Sequence, residues 1–372
     1  MRRSLVLSGI SSICTSALAF AFGVQGDPQA EARKHLEPRP VTFSKPALPF
    51  DQAVAELTRG TGNIIADARR DKRSPDVQLP AGPVTFWPAL DAMGKASGIG
   101  FSPSGPDGRM AWIDAPYRPV ATAYGGLFRF AVRRVTVSRE DETGVRQCLL
   151  AFDVAWEPRF QPFYADFQKV RLAFAPDAQG KQLKDDVPAR GKVSVAGRSG
   201  IELEVRGAAP DRSCPRIESV QGAFWAIGPS KMLTFTFDKL SVSKPGAKPL
   251  AEMTHEGVSV RIVSIRRQTE ALLVKLRIEN PKDSPFFESH QSWLDNNRLR
   301  LVQEAAGKKR VLTPSESQED RQGRHAEVEY AFTETGGASV PASLQGWTLH
   351  YETPGRIVEV TAPFVVRDLA LP

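Results

Sequence analysis

Residues 215–242 read PRIESVQGAFWAIGPSKMLTFTFDKLSV, and residues 341–369 read PASLQGWTLHYETPGRIVEVTAPFVVRDL. Each stretch opens on a proline and reaches a Gln-Gly pair, Gln221-Gly222 in one and Gln345-Gly346 in the other. Apolar residues then alternate: Ala223, Trp225 and Ile227 in the first stretch, Trp347, Leu349 and Tyr351 in the second. A proline-bearing turn follows, at Gly228-Pro229 and at Pro354-Gly355, and then a second alternating run. A spacing of two is the period of a strand, and two such runs joined by a turn read as a β-hairpin. Each stretch is therefore expected to be a hairpin that closes its own domain.

The segments upstream of the two stretches also correspond. Phe130, Val132, Val135 and Val137 align with Val258, Val260, Val263 and Ile265, and in both the alternation slips by one residue, after Arg133 and after Arg261. A shared slip reads as a shared β-bulge. Leu150, Phe152, Val154 and Trp156 align with Leu272, Val274, Leu276 and Ile278. Leu172 and Phe174 align with Leu299 and Leu301, and Ile201, Leu203 and Val205 with Ala326, Val328 and Tyr330. Short alternating strands with turns between them are the pattern of a β-sandwich. The expected fold is multidomain and mainly β: two duplicated, immunoglobulin-like sandwiches over 128–245 and 256–372, divided by a Pro/Gly linker, and a smaller domain in front.

The front segment, 41–116, alternates strand and helix signals. Val41-Thr42-Phe43 reads as a strand, and Asp51 is placed to cap a helix carrying Ala53, Val54 and Leu57, which Gly60 or Gly62 ends. Asn63 to Ala66 and Val77 to Leu79 read as strands. Thr85 caps a second helix with Pro88 in its first turn and Leu90 and Met93 inside, closed by Gly98. Ile99 to Phe101 and Met110 to Ile113 then pair across Pro106-Asp107-Gly108. The order is β-α-β-β-α-β-β, a small α+β layer. The phrases Leu48-Pro49-Phe50-Asp51-Gln52-Ala53-Val54, Gly62-Asn63-Ile64-Ile65, Val84-Thr85-Phe86 and Gly98-Ile99-Gly100-Phe101 resemble the short N-terminal domain of secretins and TonB-dependent receptors. That resemblance implies a periplasmic protein-contact module without chemistry of its own. No secretin or plug-and-barrel sequence follows it, so pore formation and transport do not carry over.

Residues 1–26 have the layout of an export leader: Arg2 and Arg3, an apolar run from Leu5 to Val24, and small residues at Ala17, Ala19, Gly23 and Gly26. The apolar run is nearly long enough to serve as an uncleaved anchor, and no other stretch could span a bilayer. A polar linker, 27–40, follows. The expected location is the periplasm or envelope of a bacterium. The net charge of +7 is a small excess of 49 basic over 42 acidic residues, with no basic block, which argues against a nucleic-acid partner. Outside the leader, Cys148 and Cys214 form a candidate disulfide in an exported chain.

No catalytic, cofactor or metal motif is visible. The histidines, His35, His255, His290, His325 and His350, have no metal-pair spacing. There is no G-x-S-x-G elbow, phosphate-binding glycine loop or H-E-x-x-H. Asp185-Asp186 and Glu319-Asp320 are carboxylate pairs expected in polar loops. The anomaly is aromatic: Phe160, Phe163, Tyr164 and Phe167 follow the second strand of the first repeat, and Phe286, Phe287 and Trp293 that of the second. These rings either cover an open end of each sandwich or form a contact surface for an envelope protein or glycan. The expected function is a non-catalytic interaction or scaffolding module. A carbohydrate-binding protein with aromatic loops and a hydrolase with loop-borne carboxylates are the alternatives.

Overall fold

The computed structural model describes residues 27–105, 108–188, 191–244, 248–268, 270–281, 296–305, 308–333 and 340–372. The leader, His290, Phe286, Phe287 and Trp293 lie outside the described residues. The described residues are mainly β, built from several sheets with three helices among them. No helix among the described residues is long and apolar enough to cross a membrane.

The segment expected as a polar linker is instead a helix, α1 (Pro28–Lys34), opened by Asp27, whose carboxylate accepts from the Gln29 N–H at 3.0 Å. The front unit follows: β1 (Ala47–Pro49), α2 (Phe50–Thr61), β2 (Ala66–Asp67), β3 (Asp76–Gln78), α3 (Phe86–Ser97), β4 (Ile99–Ser102) and β5 (Ala111–Pro116). Strands β1 and β3 form one antiparallel pair, and β2 lies parallel to β5, which also pairs with β4. Val41 to Phe43, expected as the first strand, contributes only a bridge from Val41 to Val84. Asp51 is not the cap of α2. Pro49 holds that position, and the Asp51 N–H is satisfied by the Ser74 hydroxyl at 2.9 Å. Gly62 ends α2 at φ +77°, a conformation that costs glycine nothing. Both helices bury apolar faces, including Leu57, Leu90 and Met93, in a core shared with Trp112 of β5.

Next come β6 (Thr122–Gly125), β7 (Phe128–Arg139), β8 (Arg146–Trp156), β9 (Tyr164–Phe167), β10 (Val170–Phe174), β11 (Lys184–Val187), β12 (Val193–Ser194), β13 (Gly200–Ala208) and β14 (Arg216–Pro229). The remainder is β15 (Met232–Phe237), β16 (Ala251–His255), β17 (Val258–Arg267), β18 (Ala271–Glu279), β19 (Arg298–Ala305), β20 (Lys308–Leu312), β21 (Glu316–Gln322), β22 (His325–Thr333), β23 (Trp347–Pro354) and β24 (Ile357–Ala370). The first sheet pair sets β13-β8-β7-β6 across one core from β11-β10-β14-β9-β12. The second sets β16-β17-β18-β22-β21 across another core from β15-β23-β19-β20. Strand β16 occupies the stretch expected as the linker between the sandwiches, and β6 lies between the front segment and the first expected sandwich.

The two opening stretches do not form hairpins; they pair with each other. Strand β24 runs antiparallel to β14 from Arg216↔Ala370 to Pro229↔Ile357, and β15 runs antiparallel to β23 from Met232↔Pro354 to Phe237↔Leu349. The register is continuous through the crossing, where the Ser230 N–H donates to the Arg356 carbonyl (2.8 Å) and the Gly355 N–H to the Lys231 carbonyl (2.9 Å). The result is one long two-stranded ribbon threading both sheet pairs. Its ends are exchanged: β15 leaves the first half of the chain to complete the second core, and β24 returns from the C-terminus to complete the first. The boundary expected between 245 and 256 therefore does not separate two self-contained domains.

Side-chain burial follows the ribbon. Val358, Ala362, Phe364, Val366 and Leu369 of β24 lie in the first core, and Leu233, Phe235 and Phe237 of β15 in the second. The Phe364 ring stacks on Phe130 at 4.5 Å within an aromatic cluster that includes Phe152, Phe167 and Phe224. The inward phase of β14 is Phe224 and Ala226, not Ala223, Trp225 and Ile227. The two Gln-Gly pairs are not equivalent either. A Cβ on Gly222 would meet the Phe364 ring at 3.0 Å, whereas Gly346 makes a turn at φ +75°. The bulges also correct the expected alignment. They fall at Arg133 in β7 and at Val263 in β17, which matches Val132 with Ile262 and Val135 with Ile265 rather than with Val260 and Val263.

Candidate functional site

The densest buried polar chemistry lies where the front unit meets the first sheet pair. On α3, Trp87, Asp91 and Gly94 share one face by helical spacing. The Trp87 indole N–H donates to the Leu127 carbonyl at 2.7 Å. Asp91 accepts four hydrogen bonds: Nε and Nη2 of Arg129 on β7 (2.8 and 3.0 Å) and the hydroxyls of Tyr124 (2.6 Å) and Tyr117 (2.9 Å). A side chain at Gly94 would strike the Tyr117 ring at 2.5 Å, so the helix needs glycine there. Arg129 is 6% exposed and Asp91 8% exposed, so the pair is buried and bidentate. Burial and the adjacent carboxylate push the Tyr117 hydroxyl up to about 12, which keeps it a donor.

A second cluster sits beside the first. The buried Glu157 follows β8, and its Oε2 accepts from Asn63 (2.9 Å) and from Arg159 Nε (2.6 Å). The Arg159 N–H donates to Asn63 Oδ1 at 3.1 Å. The Arg159 guanidinium also donates to the carbonyls of His35 and Glu37, just past the end of α1, where the helix dipole favours a cation. Arg159, through its guanidinium and its backbone N–H, thus ties together the N-terminal helix, the front unit and the first sheet pair.

Burial pushes the Glu157 carboxyl up, and the Arg159 charge and Asn63 only partly offset this. A carboxyl raised in the folded state holds its proton longer there than in the unfolded chain. Its contribution is most favourable below the ordinary value of 4.5 and is lost as pH rises through the folded value. The stability of the native chain relative to Glu157→Gln is expected to fall as pH rises from about 4.5 towards neutral. Thermal unfolding of both proteins across that range is the check, and a pH-independent difference contradicts the assignment.

The residues singled out in the sequence are not brought to this junction as a working surface. Phe160, Phe163 and Phe167 are buried within the chain, which corrects their reading as partner contacts. Phe160 packs edge-on against Phe128, Phe167 belongs to the aromatic cluster of the first core, and Phe163 reaches the second core. Tyr164 is half-buried and packs against the second core. Cys148 and Cys214 are free and buried rather than disulfide-bonded. The Cys214 thiol donates to the Ala175 carbonyl at 3.1 Å, and desolvation pushes Cys148 up to about 11, which makes it a poor nucleophile.

The carboxylate pairs lie in strands, not loops. Asp185 accepts from the Ala208 N–H at 2.7 Å, Asp186 pairs with Arg171 at 2.8 Å, and Glu319 accepts from Arg321 Nε at 3.0 Å. Of the histidines, His255 stacks on Phe235 and His350 lies 3.3 Å from the Thr236 hydroxyl. Among the described residues, no group of three or more His, Cys, Asp or Glu is placed to hold a metal ion.

Asp91, Arg129, Asn63, Glu157 and Arg159 are not among the residues that the sequence pattern singles out. A signal was available for Asp91, a lone acid on the apolar face of a helix, four residues after a tryptophan. The Arg159 contacts depend on carbonyls far away in the chain, and no local pattern announces them. No protein-family model matches this chain, and a search of curated proteins finds no match.

Proposed function

We propose that this chain is an exported, non-catalytic scaffolding protein of a bacterial envelope. In this reading the front unit is a secretin-like short N-terminal domain, and the two sheet pairs are duplicated immunoglobulin-like sandwiches with exchanged last strands. The observation that carries the proposal is how the three parts are tied. The buried Asp91–Arg129 ion pair and the Asn63–Glu157 hydrogen bond fix the front unit to the first sheet pair, and the ribbon fuses the first pair to the second. Such ties hold outer surfaces at fixed separations, which is what a scaffold has to do. Strand orders β6-β7-β8-β13 and β16-β17-β18-β22, with β11-β10-β14 and β20-β19-β23 facing them, support duplication. The strand-helix-strand-strand-helix-strand-strand order from β1 to β5 supports the front-unit assignment. The leader-like residues 1–26 support export. The glycan-binding alternative loses Phe160, Phe163 and Phe167, and the hydrolase alternative loses carboxylates already engaged by neighbouring groups.

The test is photo-crosslinking in cells, with the crosslinker placed at the exposed Gln52 and Ala55 on α2. The expected result is a discrete adduct with an envelope protein, recovered from the envelope fraction. Recovery of the chain from the cytosol, or no adduct from either position, contradicts the proposal.

A further inference from the structure

A cavity of about 350 Å³ opens where the front unit, the first sheet pair and the start of β19 approach one another. Four arginines line it: Arg109 before β5, Arg159 after β8, Arg198 between β12 and β13, and Arg298 at the head of β19. No aspartate or glutamate lines it among the described residues. Arg159 is already neutralised by Glu157. The side chains of Arg109, Arg198 and Arg298 make no hydrogen bond or ion pair with the described residues. Glu352, opposite Arg298 across the ladder, pairs with Arg300. Ile64, on the same wall, is 75% exposed, the wettest large apolar side chain of the described chain.

Cations gathered from separate segments of the chain around one concavity repel one another and raise the local positive potential. An anion placed among them relieves both effects. The guanidinium fork matches the oxygens of carboxylate and phosphate alike. Three charges with no counter-ion among the described residues favour a dianion over a monoanion. The cavity is at the small end of the range for organic ligands, so it admits an end group rather than a stretch of polymer. Ile64 offers an apolar wall to whatever carries that end group. We propose that this cavity binds a phosphate monoester, its phosphoryl oxygens among Arg109, Arg198 and Arg298 and its organic portion against Ile64. The site goes beyond the scaffolding role and does not depend on it.

Calorimetric titration of the full chain with inorganic phosphate and with glycerol 3-phosphate tests the free-ligand source. Sedimentation with phosphatidylcholine vesicles, with and without phosphatidic acid, tests the lipid-headgroup source. The expected result is saturable binding of glycerol 3-phosphate or of the phosphatidic acid vesicles, and the arm that responds names the source. Binding should weaken by about tenfold or more in Arg198→Gln/Arg298→Gln, since each guanidinium supplies charge-assisted bonds. Arg109→Gln should weaken it independently, and Arg212→Gln, exposed elsewhere, should leave it unchanged. These side chains bear no bonds to the described residues, so the melting temperature should hold in all variants. Absence of saturable binding in every arm overturns the proposal. So does binding that Arg198→Gln/Arg298→Gln leaves intact, or that Arg212→Gln weakens equally.

Discussion

A fragment running from Gly257 to Pro372 will not fold by itself. It would carry β24 without the core that β24 serves, and it would lack β15 and β16. The missing Leu233, Phe235 and Phe237 are each at most 5% exposed in the second core. Burying a large apolar side chain is worth about 1.5–3 kcal/mol, so the loss is roughly 5–9 kcal/mol, comparable to the entire stability of an ordinary domain. The complementary fragment, 27–256, loses the five apolar residues that β24 buries in the first core and should fail as well. Mixed together, the two fragments should restore one cooperative thermal transition, because each supplies the strand the other needs. The same logic makes Phe364, near the C-terminus, a residue of the first core. Phe364→Ala should cost about 3–5 kcal/mol. A cooperative transition in isolated 257–372 would contradict the exchange.

The second large effect is expected from Asp91→Asn. The substitution keeps shape and removes charge, leaving Arg129 buried without its counter-ion. Breaking a buried pair by one partner costs about 3–5 kcal/mol, whereas a neutral hydrogen bond contributes about 0.5–1.5 kcal/mol. Tyr117→Phe and Tyr124→Phe should therefore each be several times milder than Asp91→Asn. Replacing both charges, as in Asp91→Leu with Arg129→Met, should recover much of the loss, because no orphaned charge then remains. Chemical denaturation of the five proteins measures this ranking. An Asp91→Asn cost below about 1 kcal/mol would mean that the pair does not hold the junction.

The strands of both stretches were legible because alternation is a local property of the backbone. Their partners were not. Period two says which side chains share a face, and it is silent on which strand lies alongside. A hairpin at Pro229 and a crossing at Ser230 satisfy the same alternation. The bulge of β17 was misplaced because Ile262 and Val263 are both apolar, so the slip reads equally well on either side of Ile262. Trp225 alternates with Ala223 and Ile227 in the sequence, yet it lies on the outer phase of β14, where Lys192 sits 4.7 Å over its ring. Phe160, Phe163 and Phe167 read as a surface because a loop with rings has no visible neighbour in one dimension. In three dimensions, β9 carries Phe167 into the sheet beside β14, and the loop becomes core. The junction contacts, one ion pair and one hydrogen bond, were hidden for the same reason. Asp91 and Arg129, and Asn63 and Glu157, belong to different units, and nothing local ties one to the other.

The exchange of β15 and β24 is tested most directly by engineered disulfides. Gln221 and Val365 are exposed and directly opposite each other in the β14–β24 ladder. Opposed residues of an antiparallel pair have Cα atoms about 4.5–5.5 Å apart, within disulfide range. Glu352 and Glu359 would face each other only if β23 and β24 folded back as a hairpin whose four-residue loop, 354–357, contains the Pro354-Gly355 turn. In the ribbon they lie on one extended segment, about 20 Å apart at strand rise, beyond the reach of a disulfide. Under mild oxidation, Gln221→Cys with Val365→Cys should close completely, and Glu352→Cys with Glu359→Cys should remain reduced. The opposite outcome, an open first pair and a closed second, would show two hairpins and contradict the ribbon.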